Sequence, residues 1–258
     1  MRILRKHIEG VEDLRRDGRA ADEVRPVTLE MGYSRWAEGS CLIHAGDTLV
    51  LVTATVEEKV PPFVRGTGQG WIQAEYAMLP RATHERTHRE AVRGRQQGRS
   101  IEIQRLIGRS LRASLYLDRL GERSVTIDCD VLQADGGTRT AAITGGFMAL
   151  WQALFTLNKK TPFEKPPFRA RLAAVSVGLK NGQGLLDLSY AEDVDIDVDF
   201  NLARLSSGNW VEMQGTGEHR AFSRAQLDAV LGLGDHGLDH LDALQRAAFP
   251  EGAKLIDA

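Results

Sequence analysis

Ser124-Val-Thr-Ile-Asp-Cys-Asp-Val-Leu-Gln-Ala-Asp-Gly-Gly-Thr-Arg-Thr-Ala141 changes its hydrophobic period once, at a glycine pair, and that change decides the fold. From Ser124 to Val131 apolar and polar residues alternate strictly, the pattern of a half-buried strand. From Ala141 to Phe155 the chain is apolar almost throughout, which predicts a largely buried helix. Between them runs Leu132–Thr140, with Gly136 and Gly137 at its centre and Arg139 at its exit. A glycine turn entering a helix start leaves several backbone N–H groups aimed at one point, where the helix dipole adds partial positive charge. Thr138 adds a hydroxyl, and Arg139 a planar fork matched to phosphate oxygens. On the turn alone two readings stay open: an anion pocket, or a tight turn beside a surface arginine.

Working outward, alternation predicts strands at Val27–Met31, Gly39–His44 and Thr48–Glu57, the last two joined by a turn at Ala45-Gly46-Asp47. Residues 61–100, with Pro61-Pro62 and several glycines, read as irregular, and a run of that length inside a compact domain is usually functional. A helix is predicted from Ser100 to about Leu117, with Ile103, Leu106, Ile107, Leu111 and Leu115 on one face and Arg105, Arg109 and Arg112 on the other. Beyond a Lys- and Pro-rich linker at Asn158–Phe168, Ala173–Lys180 turns at Asn181-Gly182 and returns as Leu185–Tyr190, a hairpin signal. A strand at Trp210–Gln214 precedes helices starting at Ser223, where Ser-x-x-Gln forms a capping box. Each hairpin ends in acids, which suggests a pseudo-repeat of two α+β halves. The expected organisation is an N-terminal tail over 1–15, one domain over 16–250 and a C-terminal tail over 251–258.

The 258 residues are 42% hydrophobic and 26% charged, ordinary values for a water-facing globular chain. No apolar run reads as long enough to span a membrane, and the start lacks a signal-peptide core, so a cytoplasmic protein without a membrane partner is expected. Cys41 and Cys129 both fall in strand-like runs and read as buried free thiols. The net charge of −2 hides a segregation. Residues 81–112 hold nine arginines against three glutamates, while 187–199 hold six acids and no base. Such segregation suits a polyanion held near a cation site, or simply two solvated faces.

His84-Glu85-Arg86-Thr87-His88 matches the zinc-protease pattern His-Glu-x-x-His, but Pro80, Arg81 and Arg89 flank it with no apolar ridge, and arginines oppose cation binding. It reads as a chance match. Neither a Walker-type phosphate loop nor a Gly-x-Ser-x-Gly elbow is present. With no side-chain nucleophile in view, an enzyme built this way takes its nucleophile from outside, and inorganic phosphate at the Gly136–Arg139 turn would serve. Arg99 precedes the Ser100 helix and is a second cation candidate for that pocket, or a surface residue of a basic segment. Glu192-Asp-Val-Asp-Ile-Asp-Val-Asp-Phe200 alternates acid with apolar; as one strand it would hold Asp193 and Asp199 about 20 Å apart. For these two to share a hard cation such as Mg²⁺, the chain between them must fold back.

Three longer strings resemble the ribonuclease PH family of bacteria: Gly66-Thr-Gly-Gln-Gly-Trp-Ile-Gln-Ala-Glu-Tyr-Ala-Met-Leu-Pro-Arg81, Gly98-Arg-Ser-Ile-Glu-Ile-Gln-Arg-Leu-Ile-Gly-Arg-Ser-Leu-Arg-Ala113, and Asp128 to Thr140. Glu212-Met-Gln-Gly-Thr216 and Phe222-Ser223 are similar too, so the likeness runs from about Arg16 to Phe249. The resemblance implies an α+β fold of two βαβα-like halves with mixed sheets and packed helices. It implies a phosphorolytic 3′-to-5′ exoribonuclease trimming transfer-RNA precursors, reversible as a nucleotidyltransferase, in a hexameric ring built as a trimer of dimers. It assigns phosphate, as co-substrate, to Arg99, Gly137, Thr138 and Arg139. It assigns Mg²⁺ or another divalent metal to Asp193 and Asp199, and associates Arg81, Arg86 and Arg89 with RNA contact and with the ring interface. The chain departs from the family at Val194–Val198 and at Phe200, where small residues and a methionine are usual, which brings Asp195 and Asp197 forward as competitors for the metal. The alternative is an inert RNA-binding subunit of an exosome-like ring, a class that loses the phosphate arginines or the metal acids; this chain keeps both sets.

Overall fold

The computed structural model describes Arg15 and residues 17–256. β1 (Val27–Met31), β2 (Gly39–Ala45) and β3 (Thr48–Glu57) form the expected antiparallel meander. Then come β4 (Trp71–Met78), α1 (Glu90–Arg93), α2 (Gly98–Ala113), α3 (Leu117–Leu120), β5 (Ser124–Gln133) and α4 (Thr138–Lys160). The second half holds β6 (Leu172–Lys180), β7 (Gln183–Leu186), α5 (Tyr190–Asp193), β8 (Val198–Leu205), β9 (Trp210–Gly217), α6 (Arg224–Ala248) and a 3₁₀ segment at Pro250–Leu255.

The first sheet runs β1-β2-β3-β5-β4 and is mixed, because β4 lies parallel to β5; the second runs β7-β6-β8-β9 and is antiparallel throughout. This is the expected α+β architecture of two sheet-and-helix halves. α4 covers β2 and β3 with α2 beside it over β4, and α4 also touches β6, whose opposite face is covered by α6. β6 is therefore apolar at almost every position: Leu172 and Ala174 enter the first core, Ala173, Val175 and Val177 the second. Thr144 on α4 stitches the layers by accepting from the Ala174 amide at 3.0 Å.

Several expectations change. β4 lies inside the stretch read as irregular; its buried positions, Ile72 and Tyr76, alternate with exposed Gln73 and Glu75. Helix α2 ends at Ala113 rather than Leu117, where the Ser114 hydroxyl donates back to the Leu111 carbonyl at 2.7 Å. The hairpin turn is confirmed, with Asn181 and Gly182 both at positive φ, but the return strand stops at Leu186 because Asp187 adopts φ 54°. The Ser223 capping box forms, and one helix follows it. α4 is long and apolar enough to cross a membrane, contrary to expectation, yet 89% of that window is buried inside the protein, as befits a central core helix. Of the tail expected over 1–15, only Arg15 is described; it is buried and pairs with Glu192 at 2.8 Å. At the other end the chain stays packed beyond residue 250, with Leu255 buried and the Trp151 indole donating to the Gly252 carbonyl at 2.9 Å.

Candidate active site

The glycine turn forms one wall of a cleft of about 520 Å³. Gly136 and Gly137 both sit in the left-handed region, and a Cβ on Gly136 would lie 2.5 Å from the Leu188 carbonyl, so only glycine lets the turn press against the following loop. Carbonyls are held from behind: Thr48 donates to the Gly136 oxygen at 2.7 Å, and buried Arg25 donates to the Asp135 oxygen. The amides that open α4 have no carbonyl four residues back within the helix and stand ready for an anion. The Tyr76 phenol donates to the Thr138 hydroxyl at 2.9 Å, which leaves the Thr138 proton for an acceptor in the cleft. Burial pushes the Tyr76 phenol up, against the Thr138 bond and the Arg99 and Arg139 charges, and so keeps it a donor. Arg139 is steered by Gln214, which accepts from it at 3.1 Å and itself donates to Glu102 at 3.0 Å.

Opposite stands an acidic wall. The acidic run is not one strand: Asp193 closes α5, a turn follows, and Asp199 is the second residue of β8. The break begins with the Ser189/Glu192 capping box and is pinned by buried Ile196. The chain thus folds back as metal sharing requires, and both aspartates line the same cleft as Arg99, Thr138 and Arg139. Burial and the neighbouring Asp193 push Asp199 up to about 6, Glu218 adding to the rise, while Arg139 and a 3.0 Å bond from the Asn201 amide pull it back. Asp193 is raised by burial and Glu218 and lowered by Arg139 and Arg99. Two carboxylates both raised by burial, Asp199 further by Asp193, at the edge of a cationic pocket suit a hard cation completed by substrate phosphate oxygens and water. Among the described residues no cluster of three or more His, Cys, Asp or Glu could hold a metal unaided.

Asp195 and Asp197, the competitors, do not line the cleft. Asp197 instead accepts from the Asn181 amide at 2.7 Å, while its carbonyl receives the Glu218 and His219 amides. Arg81, Arg86 and Arg89 are exposed on the segment that carries Thr83, His84, Glu85 and Thr87 to the rim; the arginines themselves are not part of the lining. Residues 84–88 form no helix, so the His-Glu-x-x-His pattern never places its histidines on one helical face. Cys41 and Cys129 are buried free thiols. Tyr76, Asn201 and Gln214 are site residues that sequence reasoning missed. Each acts through space from a different strand, and only the quoted strings around Tyr76 and Gln214 drew attention to those neighbourhoods.

Comparison with solved structures finds the same fold in a rice (Oryza sativa) Rrp46, with TM-score 0.74 and 18% identity over 90% of this chain and 98% of that one. An archaeal exosome core matches with TM-score 0.71 and 22% identity over 89% and 90% of the two chains. An Archaeoglobus fulgidus exosome with RNA bound to the active site matches with TM-score 0.73 and 23% identity over 89% and 91%. Residues 23–155 match domain 1 of the 3′ exoribonuclease family, and residues 170–235 match its domain 2. With those two domains covering both sheets and the cleft between the glycine turn and the acidic loop, the chain belongs to the ribonuclease PH family of 3′ exoribonucleases.

Proposed function

We propose that this protein is a phosphorolytic 3′-to-5′ exoribonuclease that shortens RNA 3′ ends, transfer-RNA precursors among them, with inorganic phosphate as the attacking group. The observation that carries the reading is one cleft in which a wall suited to an anion faces a wall of two carboxylates suited to a cation. Arg99, Arg139, the Thr138 hydroxyl and the amides after Gly137 hold and orient the attacking phosphate. Their fixed dipoles lie where negative charge accumulates as the phosphodiester is transferred. Asp193 and Asp199 would hold Mg²⁺ or another divalent ion, which supplies charge neutralisation at the scissile group and the departing 3′ oxygen. A phosphate oxygen bonds to the last phosphorus, the bond from that phosphorus to the 3′ oxygen breaks, and a nucleoside diphosphate leaves. A phosphodiester is exchanged for a phosphoanhydride, so nucleotides are added back when diphosphates are abundant. Arg81, Arg86 and Arg89 would grip the RNA backbone. Solution as a hexameric ring of three dimers, in the cytoplasm, completes the proposal.

The second reading is an inert RNA-binding ring subunit, favoured by likeness to exosome components. Against it stands the retention of both charged walls in one cleft. Incubation with 3′-single-stranded RNA and Mg²⁺, with and without phosphate, separates the two. Diphosphates formed only with phosphate support phosphorolysis; monophosphates, or no shortening, refute it.

A further inference from the structure

Four aromatic side chains stand exposed among the described residues: Tyr33, Trp36, Phe63 and Tyr190. Of these, Tyr190 alone lines the cleft, with 53% of its surface open. No other ring or cation among the described residues stacks on it. Its mount, by contrast, is rigid. The Tyr190 amide donates to Asp135 at 3.2 Å, and a Cβ on Gly136 would meet the Tyr190 nitrogen at 2.8 Å, so the residue rests directly on the phosphate turn. The capping box that starts α5 is clamped in turn: Arg15 donates to Glu192 at 2.8 Å and Arg19 at 3.3 Å. Tyr190 also opens the single helical turn that Asp193 closes, so the ring and the carboxylate share one fixed support.

An open aromatic face on a fixed support, between a phosphate-binding wall and a carboxylate wall, fits a nucleobase whose phosphate lies in the cleft. We infer that Tyr190 is the stacking platform for the base of the 3′-terminal nucleotide, the one released. This rests on the phosphorolytic reading. Stacking is sequence-tolerant because every base has a π face, as an enzyme that removes nucleotides in succession requires.

The test uses one single-stranded RNA and the same RNA with an abasic 3′-terminal residue, bound in Mg²⁺ without phosphate to the wild-type protein, Tyr190→Phe and Tyr190→Ala. Wild type and Tyr190→Phe are expected to prefer the base-bearing RNA by about 10-fold. Tyr190→Ala is expected to lose that preference while binding the abasic RNA as wild type does. Equal weakening of both RNAs by Tyr190→Ala, or no weakening, overturns the platform. A parallel assay of wild type with phosphate keeps the two ideas apart. Absence of diphosphate release overturns the phosphorolytic reading. Diphosphate release together with equal affinity for the two RNAs overturns only the role of Tyr190.

Discussion

The two walls of the cleft are built on opposite principles. The wall proposed to hold phosphate is mostly backbone: two left-handed glycines, carbonyls held from behind by Thr48 and Arg25, and a helix start, with side chains added at the rim. Its dipoles are in place before any ligand arrives. The acidic wall is side chain, and its members repel: burial and Asp193 push Asp199 up to about 6. One wall is already organised for an anion, while the other is uncomfortable until a cation joins it. Arg25 ties the glycine turn to the loop that leads into the acidic wall, binding Asp187 through its backbone amide, Nε and Nη2 at 2.7–2.9 Å while donating to the Asp135 carbonyl.

Breaking that shared rivet has the largest expected effect. Arg25→Ala strips buried Asp187 of its guanidinium fork, leaving the residue-25 amide and a 3.8 Å contact with Arg19, and costs about 3 kcal/mol, read by denaturant unfolding. Arg25→Lys recovers only part, because an ammonium cannot reproduce the fork. A loss below about 1 kcal/mol for Arg25→Ala would show that the walls are held independently. Next comes the phosphate wall alone. Arg139→Ala removes a half-exposed donor and is expected to lower phosphate-dependent diphosphate release about 10²–10³-fold, with the melting temperature nearly unchanged.

The acidic wall is the place where activity and stability part company. A carboxyl raised in the folded state costs stability once ionised; that cost vanishes below its unfolded value, 3.8, and is complete above about 6. Asp199→Asn is therefore expected to raise the melting temperature of the metal-free protein by a few degrees at pH 7.5, the gain fading as pH falls below 6. The same variant should lose Mn²⁺ binding. With the metal on Asp199 as proposed, proton and metal would compete there, so Mn²⁺ affinity, measured calorimetrically, should fall about tenfold per unit of pH below 6. Affinity flat between pH 5 and 7 would place the metal elsewhere.

The difference between the walls also explains what the sequence could reveal. The phosphate turn was legible because its ingredients are local: a change of period at Gly136-Gly137, and residue types that follow one another along the chain. The acidic wall misled because Asp193 to Asp199 alternates like a strand, and the signal that breaks it, Ser189-x-x-Glu192, lies just upstream and outweighs the alternation. The pairing of those two aspartates was reached through family resemblance, and local pattern argued against it. β4 escaped because it is a half-buried edge strand whose outer face also carries apolar Trp71 and Ala77, which blurs the alternation of Ile72 and Tyr76 with polar residues. Asn201 follows Asp199 by two residues on β8, a local spacing, whereas Tyr76 becomes a site residue only through the packing that brings its phenol to Thr138. Such long-range juxtapositions leave no trace in a single chain's periodicity.

The smallest effects belong to the basic segment, and they sharpen the contrast by showing what positive charge does outside the cleft. Arg81, Arg86 and Arg89 are exposed and make no ion pair among the described residues, so each is available to an RNA phosphate and none is organised for chemistry. A single Arg→Ala change there is expected to lower the slope of log affinity against log salt by about 0.7, the value for one phosphate contact on a single strand. Binding at moderate salt should weaken only a few-fold, and turnover at saturating RNA should not change. Arg139→Ala is expected to do the reverse, lowering turnover and leaving the salt slope of RNA binding intact. If an arginine of the exposed segment instead lowers turnover at saturation, that segment belongs to the catalytic wall, and the division between gripping charge and reacting charge fails there.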